Sequence, residues 1–312
     1  MSVTETVAEG TVTEAGRKPP RLVRLSRRGT RRRHSALLNI LMTVMLVYAL
    51  LPLFWLLVNS TKTEAALFST FGLWFGGKFA LWSNVHQVFT YDNGIFIRWL
   101  GNTVLYVVAG AGGATALATL AGYGMAKYDF PGKRAVFAVV LGAVAVPGTA
   151  LAVPTFLLFS DMHLTNTPWS VIVPTLVSPL GFYLIWVYAS EAVPTEILEA
   201  ARIDGAGEFR TFFVISSRLL APGMVTVALF TVVATWNNYF LPLIMLSNPK
   251  YFPITVGLAA WESQTAGGGG SNSALISTVV TGSLLSVIPL VVAFIFLQRY
   301  WQSGLSAGAV KE

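Results

Sequence analysis

Six stretches of this 312-residue chain run without a single Asp, Glu, Lys, Arg or His: 36–58, 99–124, 135–158, 169–190, 219–240 and 275–297. An α-helix needs about 20 apolar residues to cross a hydrocarbon layer of about 30 Å, and each stretch is long enough. Strands of a membrane barrel would alternate apolar and polar residues over segments of about ten. These runs are apolar on every side. The expected fold class is an all-α membrane protein with six transmembrane helices. A composition of 54% hydrophobic and 11% charged residues agrees with it.

The basic residues fix the orientation. Of the 21 Lys and Arg, 17 fall in residues 1–35, 126–134, 191–218 and the C-terminal end, and 4 fall in the intervening loops. The basic side faces the cytoplasm, so both termini are expected there. The net charge of +7 could invite nucleic acid. Nine of the cations, however, lie in the tail just before the first span, where they suit the inner leaflet, so no nucleic-acid partner is expected. Residues 1–35 read as a basic, disordered cytoplasmic tail, 36–297 as the six-helix domain with a cytoplasmic loop at 191–218, and 298–312 as a cytoplasmic tail. The first apolar stretch lacks a small-residue cleavage site and is expected to remain as an anchor.

Within this frame, Gly110, Ala114, Ala118 and Gly122 recur every four residues, a spacing that lets another backbone approach one helix face. Pro147, Pro154, Pro174 and Pro179 lie inside the third and fourth stretches, where each removes a backbone donor and can kink its helix. Such kinks can shape a pathway or serve packing alone. The loop after the first span is rich in aromatics, among them Trp74, Phe75, Phe79, Trp82 and Tyr91, and is expected at the outer interface. "GGGGSNS" at 267–273 reads as a flexible outer loop.

The chemistry that is missing is informative. A proton- or ion-coupled carrier commonly carries a buried ionisable relay, and the six stretches offer none. "GLWFGGK" at 72–78 has the spacing of a phosphate loop, yet Phe79 follows where Ser or Thr would hold magnesium. There is no metal-ligand cluster, no cysteine and no G-x-S-x-G elbow. No catalytic residue and no bound cofactor or metal are expected.

Against this apolar background, "EILEAARIDGAGEFR" at 196–210 packs six charged residues into fifteen positions, on the cytoplasmic side between the fourth and fifth spans. Pro194 and Thr195 supply a helix start, Glu196 places negative charge in the first turn, and Gly205 supplies a stop. A short helix, a glycine turn and a second segment leading into the fifth span form a protruding elbow. Ala200 and Ala201 are small enough to dock in a partner's groove, and Glu199 stands as a fixed charge. Local physics alone reads the segment equally well as an interfacial amphipathic loop without a partner.

The segment resembles the EAA loop of the membrane subunits of bacterial ABC importers: E-A-A, three residues, G, nine residues, then I-x-L-P. Here Glu199, Ala200 and Ala201 lead through three residues to Gly205 and through nine more to Ile215, while Ser217 and Arg218 stand where the family has Leu and Pro. That departure implies a less kinked start to the fifth helix. With "WNNYFLPLIML" and the closing "GLSAGAVKE", the chain from about residue 36 onward resembles the maltose-type carbohydrate uptake permeases.

The resemblance implies a type I importer permease fold with a cytoplasmic coupling helix, in a bacterial inner membrane. It implies as partners a second homologous permease, two ABC ATPase subunits that carry the ATP and Mg, and an extracytoplasmic sugar-binding protein. It places Glu199, Ala200, Ala201, Asp204 and Gly205 at the ATPase. A sugar site wants amides and aromatic faces rather than buried charge. Trp236, Asn237, Asn238 and Tyr239 at the end of the fifth span are candidates, with Asn102 and Thr103 a further pair. The same asparagines could instead serve helix–helix hydrogen bonds. The alternatives are an ABC permease for another polar solute, such as glycerol phosphate or a polyamine, or a secondary carrier.

Overall fold

The computed structural model describes residues 36–267 and 274–307. The basic tail, most of "GGGGSNS" and the last five residues lie outside that range. Among the described residues every regular element is helical: α1 (Ala36–Ser60), α2 (Glu64–Ser69), α3 (Leu81–Thr90), α4 (Ile95–Tyr106), α5 (Gly112–Lys127), α6 (Lys133–Val144), α7 (Ala152–Asp161), α8 (Trp169–Thr175), α9 (Pro179–Ala192), α10 (Thr195–Ile203), α11 (Glu208–Arg210), α12 (Ser217–Trp236), α13 (Phe240–Met245), α14 (Ile254–Gly267) and α15 (Ala274–Ala307). Two units divide the chain at Ala49 and Leu50. The described part of the first is the beginning of α1, with exposed side chains. The second holds all other elements and every site below.

Five helical stretches are long and apolar enough to cross a membrane, namely Ala36–Ser60, Leu81–Lys127, Trp169–Ala192, Glu208–Trp236 and Leu275–Phe296. The third run, expected as one helix over 135–158, is instead two. Pro147 has no N–H for the helical ladder, and the chain turns through residues 145–151 on bonds such as Ala150 N–H to the Pro147 carbonyl before α7 begins. The six-crossing reading stands with its third crossing in two pieces.

The fourth crossing is interrupted in the same way. Pro174 lies in the last turn of α8, which ends at Thr175, and α9 restarts with Pro179 in its first turn behind Ser178, whose Oγ accepts the Gly181 N–H at 3.1 Å. The second and fifth crossings each contain a π-turn, at Val107–Ala111 and Thr211–Ser216. The fifth run, expected to 240, stops at Trp236. The loop expected over 241–274 contains a helix, α14, and α15 continues past 297 to Ala307.

The small-residue face on the second crossing packs as its spacing requires. A Cβ on Gly122 would meet Ile185 at 2.8 Å and the Phe182 carbonyl at 2.9 Å, so α5 and α9 touch backbone to backbone. On the other half of the crossing, α4 is laced to an irregular segment. Trp99 Nε1 donates to the Pro249 carbonyl, Asn102 Nδ2 to those of Lys250 and Phe252, and the Tyr106 hydroxyl to that of Tyr251. Thr103 Oγ1 accepts the Ile254 N–H at 2.8 Å. These four positions share one helix face. Beyond them Gly257 lies under the Trp99 indole so closely that a Cβ would overlap the ring.

Candidate functional site

Residues 195–216 form the elbow, and its spacing has a local cause. Gly205 sits at φ +76°, the left-handed region, one residue past the helical stop at Asp204. The Ala206 N–H bonds the Ala201 carbonyl at 2.9 Å and the Gly205 N–H bonds the Arg202 carbonyl at 3.0 Å. This is a Schellman closure, in which glycine falls four residues after the residue whose carbonyl closes the outer ring. A Cβ at Gly205 would touch nothing within 4 Å, so the backbone angle alone demands glycine there.

The helix α10 has two unlike faces. Leu198 and Ala201 are 4% and 6% exposed and belong to or adjoin a cluster with Tyr123, Val193, Phe212 and Leu220. Ala201, expected on the docking face, therefore faces the chain's own interior, where only a small side chain lets α10 lie close. Glu199, Ala200 and Asp204 are exposed, and Glu199 makes no ion pair among the described residues. Ile203 is 87% exposed and Phe209, just past the turn, 83%. The free face thus combines carboxylates with two large apolar side chains.

A clamp missed in the sequence holds the two arms of the elbow together. Arg202 Nε donates to Glu208 Oε1 at 2.8 Å, and the Tyr128 hydroxyl donates to Glu208 Oε2. Burial and the bond to Glu208 push the Tyr128 phenol above its ordinary range, so it stays a donor. Tyr128 follows α5, which makes the clamp a tie between the elbow and the second crossing. The π-turn Thr211–Ser216 then carries the chain into α12, its Ser216 hydroxyl donating to the Tyr123 hydroxyl at 3.1 Å. Arg218, in the family's proline position, is exposed.

The second feature is a cavity of about 760 Å³ lined where helices stop. Thr149 and Thr155 come from the α6–α7 break, Thr175 and Ser178 from the α8–α9 break, and Thr235 and Asn238 from the end of α12. No lining residue is charged, and the wall between these polar groups is apolar, with Val146, Leu151, Val177, Phe240 and Leu241 among it. The hydroxyls of Thr155 and Thr175 donate to Leu151 and Val171 carbonyls of their own helices and keep lone pairs for a guest. The side chains of Thr149, Thr235 and Asn238 have no hydrogen bond within the described chain. Non-helical backbone at membrane depth is tolerated where it lines a wet cavity, and three breaks around one space fit that condition.

Of the expected pathway residues, the structure brings only Asn238 to this cavity. Trp236 is buried, Asn237 is exposed with its amide on the Val233 carbonyl, and Tyr239 is exposed. Because α12 ends at Trp236, Asn237, Asn238 and Tyr239 lie in the turn before α13. Asn102 and Thr103 lace the 249–254 segment instead. The threonines were missed because a hydroxyl in an apolar run carries little signal. The four prolines were the available clue.

The family model described as "Binding-protein-dependent transport system inner membrane component" matches residues 114–306. The arabinooligosaccharides transport system permease protein AraQ of Bacillus subtilis is 31% identical over 277 residues, covering 88% of this chain and 95% of that protein. The diacetylchitobiose uptake system permease protein NgcG of Streptomyces coelicolor is 27% identical, covering 90% of each chain. The lactose transport system permease protein LacG of Rhizobium radiobacter is 28% identical, covering 84% and 91%. Among solved structures, a chain of a bacterial ABC transporter involved in the import of the acidic polysaccharide alginate superposes with a TM-score of 0.73 at 20% identity, over 85% of this chain and 95% of that one.

Proposed function

The chain belongs to the family of binding-protein-dependent transport system inner membrane components, and from that premise we propose that it passes a neutral sugar or oligosaccharide through the uncharged cavity. It is a multi-pass permease subunit of the inner membrane. An extracytoplasmic binding protein delivers the solute, a second homologous permease completes the pathway, and two ABC ATPase subunits bearing ATP and Mg supply the work. Both termini face the cytoplasm, as the distribution of basic residues favours.

The elbow is the point where force enters. Glu199, Ala200 and Asp204 face a cleft of one ATPase subunit, with Ile203 and Phe209 as apolar contacts, while Leu198 and Ala201 hold the helix to its own core. Ala201 and Gly205 act on the shape of the elbow rather than as contacts. Closure of the ATP-bound motor shifts the permease only through a difference in affinity between its two states. An elbow fixed at both ends, by the buried face of α10 and by the Tyr128–Glu208–Arg202 clamp, passes that difference to α5 and α12 together.

The observation that carries the substrate class is the cavity: uncharged, with six hydroxyls and one amide set in a largely apolar wall, and assembled from helix breaks, the arrangement in which transporters hold polar solutes. The carbohydrate names borne by the relatives point the same way. A phosphorylated or acidic solute would ask for Lys or Arg in the lining, and a polyamine for Asp or Glu.

The test is uptake into proteoliposomes that hold the complete complex, across a panel of neutral oligosaccharides, with Thr235→Val and Asn238→Ala in the cavity. Each lost hydrogen bond to substrate is worth roughly 0.5–1.5 kcal/mol, so half-saturation should rise several-fold while ATP consumed per solute stays constant. Unchanged half-saturation in both variants would remove the cavity from the pathway. Uptake by the permease without an ATPase would remove the importer reading.

A further inference from the structure

A second cavity, about 360 Å³ in volume, opens where α6 begins beside α9 and shares no lining residue with the first. Its floor is apolar: Met125 with Phe137 and Trp186, whose ring centroids are 4.5 Å apart. Its rim is charged. Lys133 Nζ lies 3.0 Å from Asp129 Oδ1 and donates to the Tyr128 carbonyl at 2.9 Å. Arg134, also on the rim, has no acidic partner within ion-pair distance among the described residues. Asp129 therefore compensates one cation and the guanidinium is left over.

What lies beside the rim narrows the ligand. None of the residues of α6 is buried, and Val136 and Val139 are among its exposed apolar side chains. In a helix of a membrane protein such a face suits acyl chains. One short stretch thus offers a cation at the membrane edge, an aromatic floor with an interfacial tryptophan, and an apolar helix face running onward into the hydrocarbon. These are the chemical requirements of an amphiphile with an anionic head, and basic pockets between helices at the membrane edge suit such headgroups.

We propose that this groove binds an anionic phospholipid. Arg134 and Lys133 hold the phosphodiester, Phe137 and Trp186 lie against the glycerol region, and the acyl chains follow Val136 and Val139 along α6. The site is independent of which solute is transported.

The test uses the full chain, purified in a neutral detergent, stripped of lipid, and titrated with phosphatidylglycerol or phosphatidylcholine while retained lipid is counted by native mass spectrometry. Wild type should retain phosphatidylglycerol in preference. Arg134→Gln removes a side chain with no bond in the described chain, so folding is spared, and should weaken that retention about fivefold, the worth of one cation beside an anionic headgroup. Arg134→Lys should restore most of it, and Arg210→Gln, a cation elsewhere on the surface, should change nothing. Equal retention of the two lipids, an unaltered Arg134→Gln variant, or displacement of phosphatidylglycerol by excess inorganic phosphate would each overturn the lipid site, the last by assigning the groove to a free anion.

Discussion

The elbow at 195–216 and the irregular segment at 245–255 both depart from membrane-crossing helix, and they are built by opposite rules. The segment at 245–255 is consumed by its own chain. Four successive carbonyls, from Pro249 to Phe252, are taken by Trp99, Asn102 and Tyr106, and Asn166 Oδ1 accepts the N–H groups of Ser247 and Asn248. The elbow satisfies its backbone locally, through the Schellman closure, and leaves Glu199, Ile203 and Phe209 without a partner in the chain. Chain that has bonded everything to itself acts as frame. Chain that has closed its backbone and left its side chains free is shaped to meet something else.

That contrast can be broken most sharply on the elbow. Gly205→Pro cannot adopt φ +76°, and Glu199→Lys reverses the charge on the free face. In the reconstituted complex either should abolish solute-stimulated ATP hydrolysis while the permease remains inserted, and undiminished stimulation would cancel the coupling role. Gly257→Leu should act through stability, because its side chain has no room beside Trp99. Overpacking of this kind costs about 1–3 kcal/mol or more, seen as a fall in melting temperature and in folded yield. The smallest effect is expected for Asn102→Ala, which leaves one exposed and one part-buried carbonyl without their donor, at about 1 kcal/mol. It should lower the melting temperature with the ratio of transport to hydrolysis unchanged. A shifted ratio would show that the frame also moves.

The sequence was most legible where structure is local. A charge-free run announces a crossing because hydrocarbon admits no other content. The spacing from Ala201 to Gly205 announces the elbow's turn because a Schellman closure spans six residues. It failed where distant segments decide. Pro147 was legible as a possible kink, but a kink and a full division of the crossing into α6 and α7 look alike in one window of sequence. The helix α14 includes Glu262 and two glycines, and it gains its place by burying Ile254 and Trp261 against Phe96 and Trp99, about 160 residues earlier. The cavity needs three helix breaks to converge, and no window holds more than one of them. Ala201 was ambiguous for a related reason: small residues suit docking to a partner and close packing at home equally well, and its burial favours the second.

The lacing on α4 carries a mechanical consequence. Trp99, Asn102, Thr103 and Tyr106 reach from one face of α4 to five peptide groups between Pro249 and Ile254, like several pegs driven into one board. Sliding one against the other would strain all five bonds together, so α4 and this segment travel as one block. Whatever rearrangement carries solute across must be taken up elsewhere along the chain.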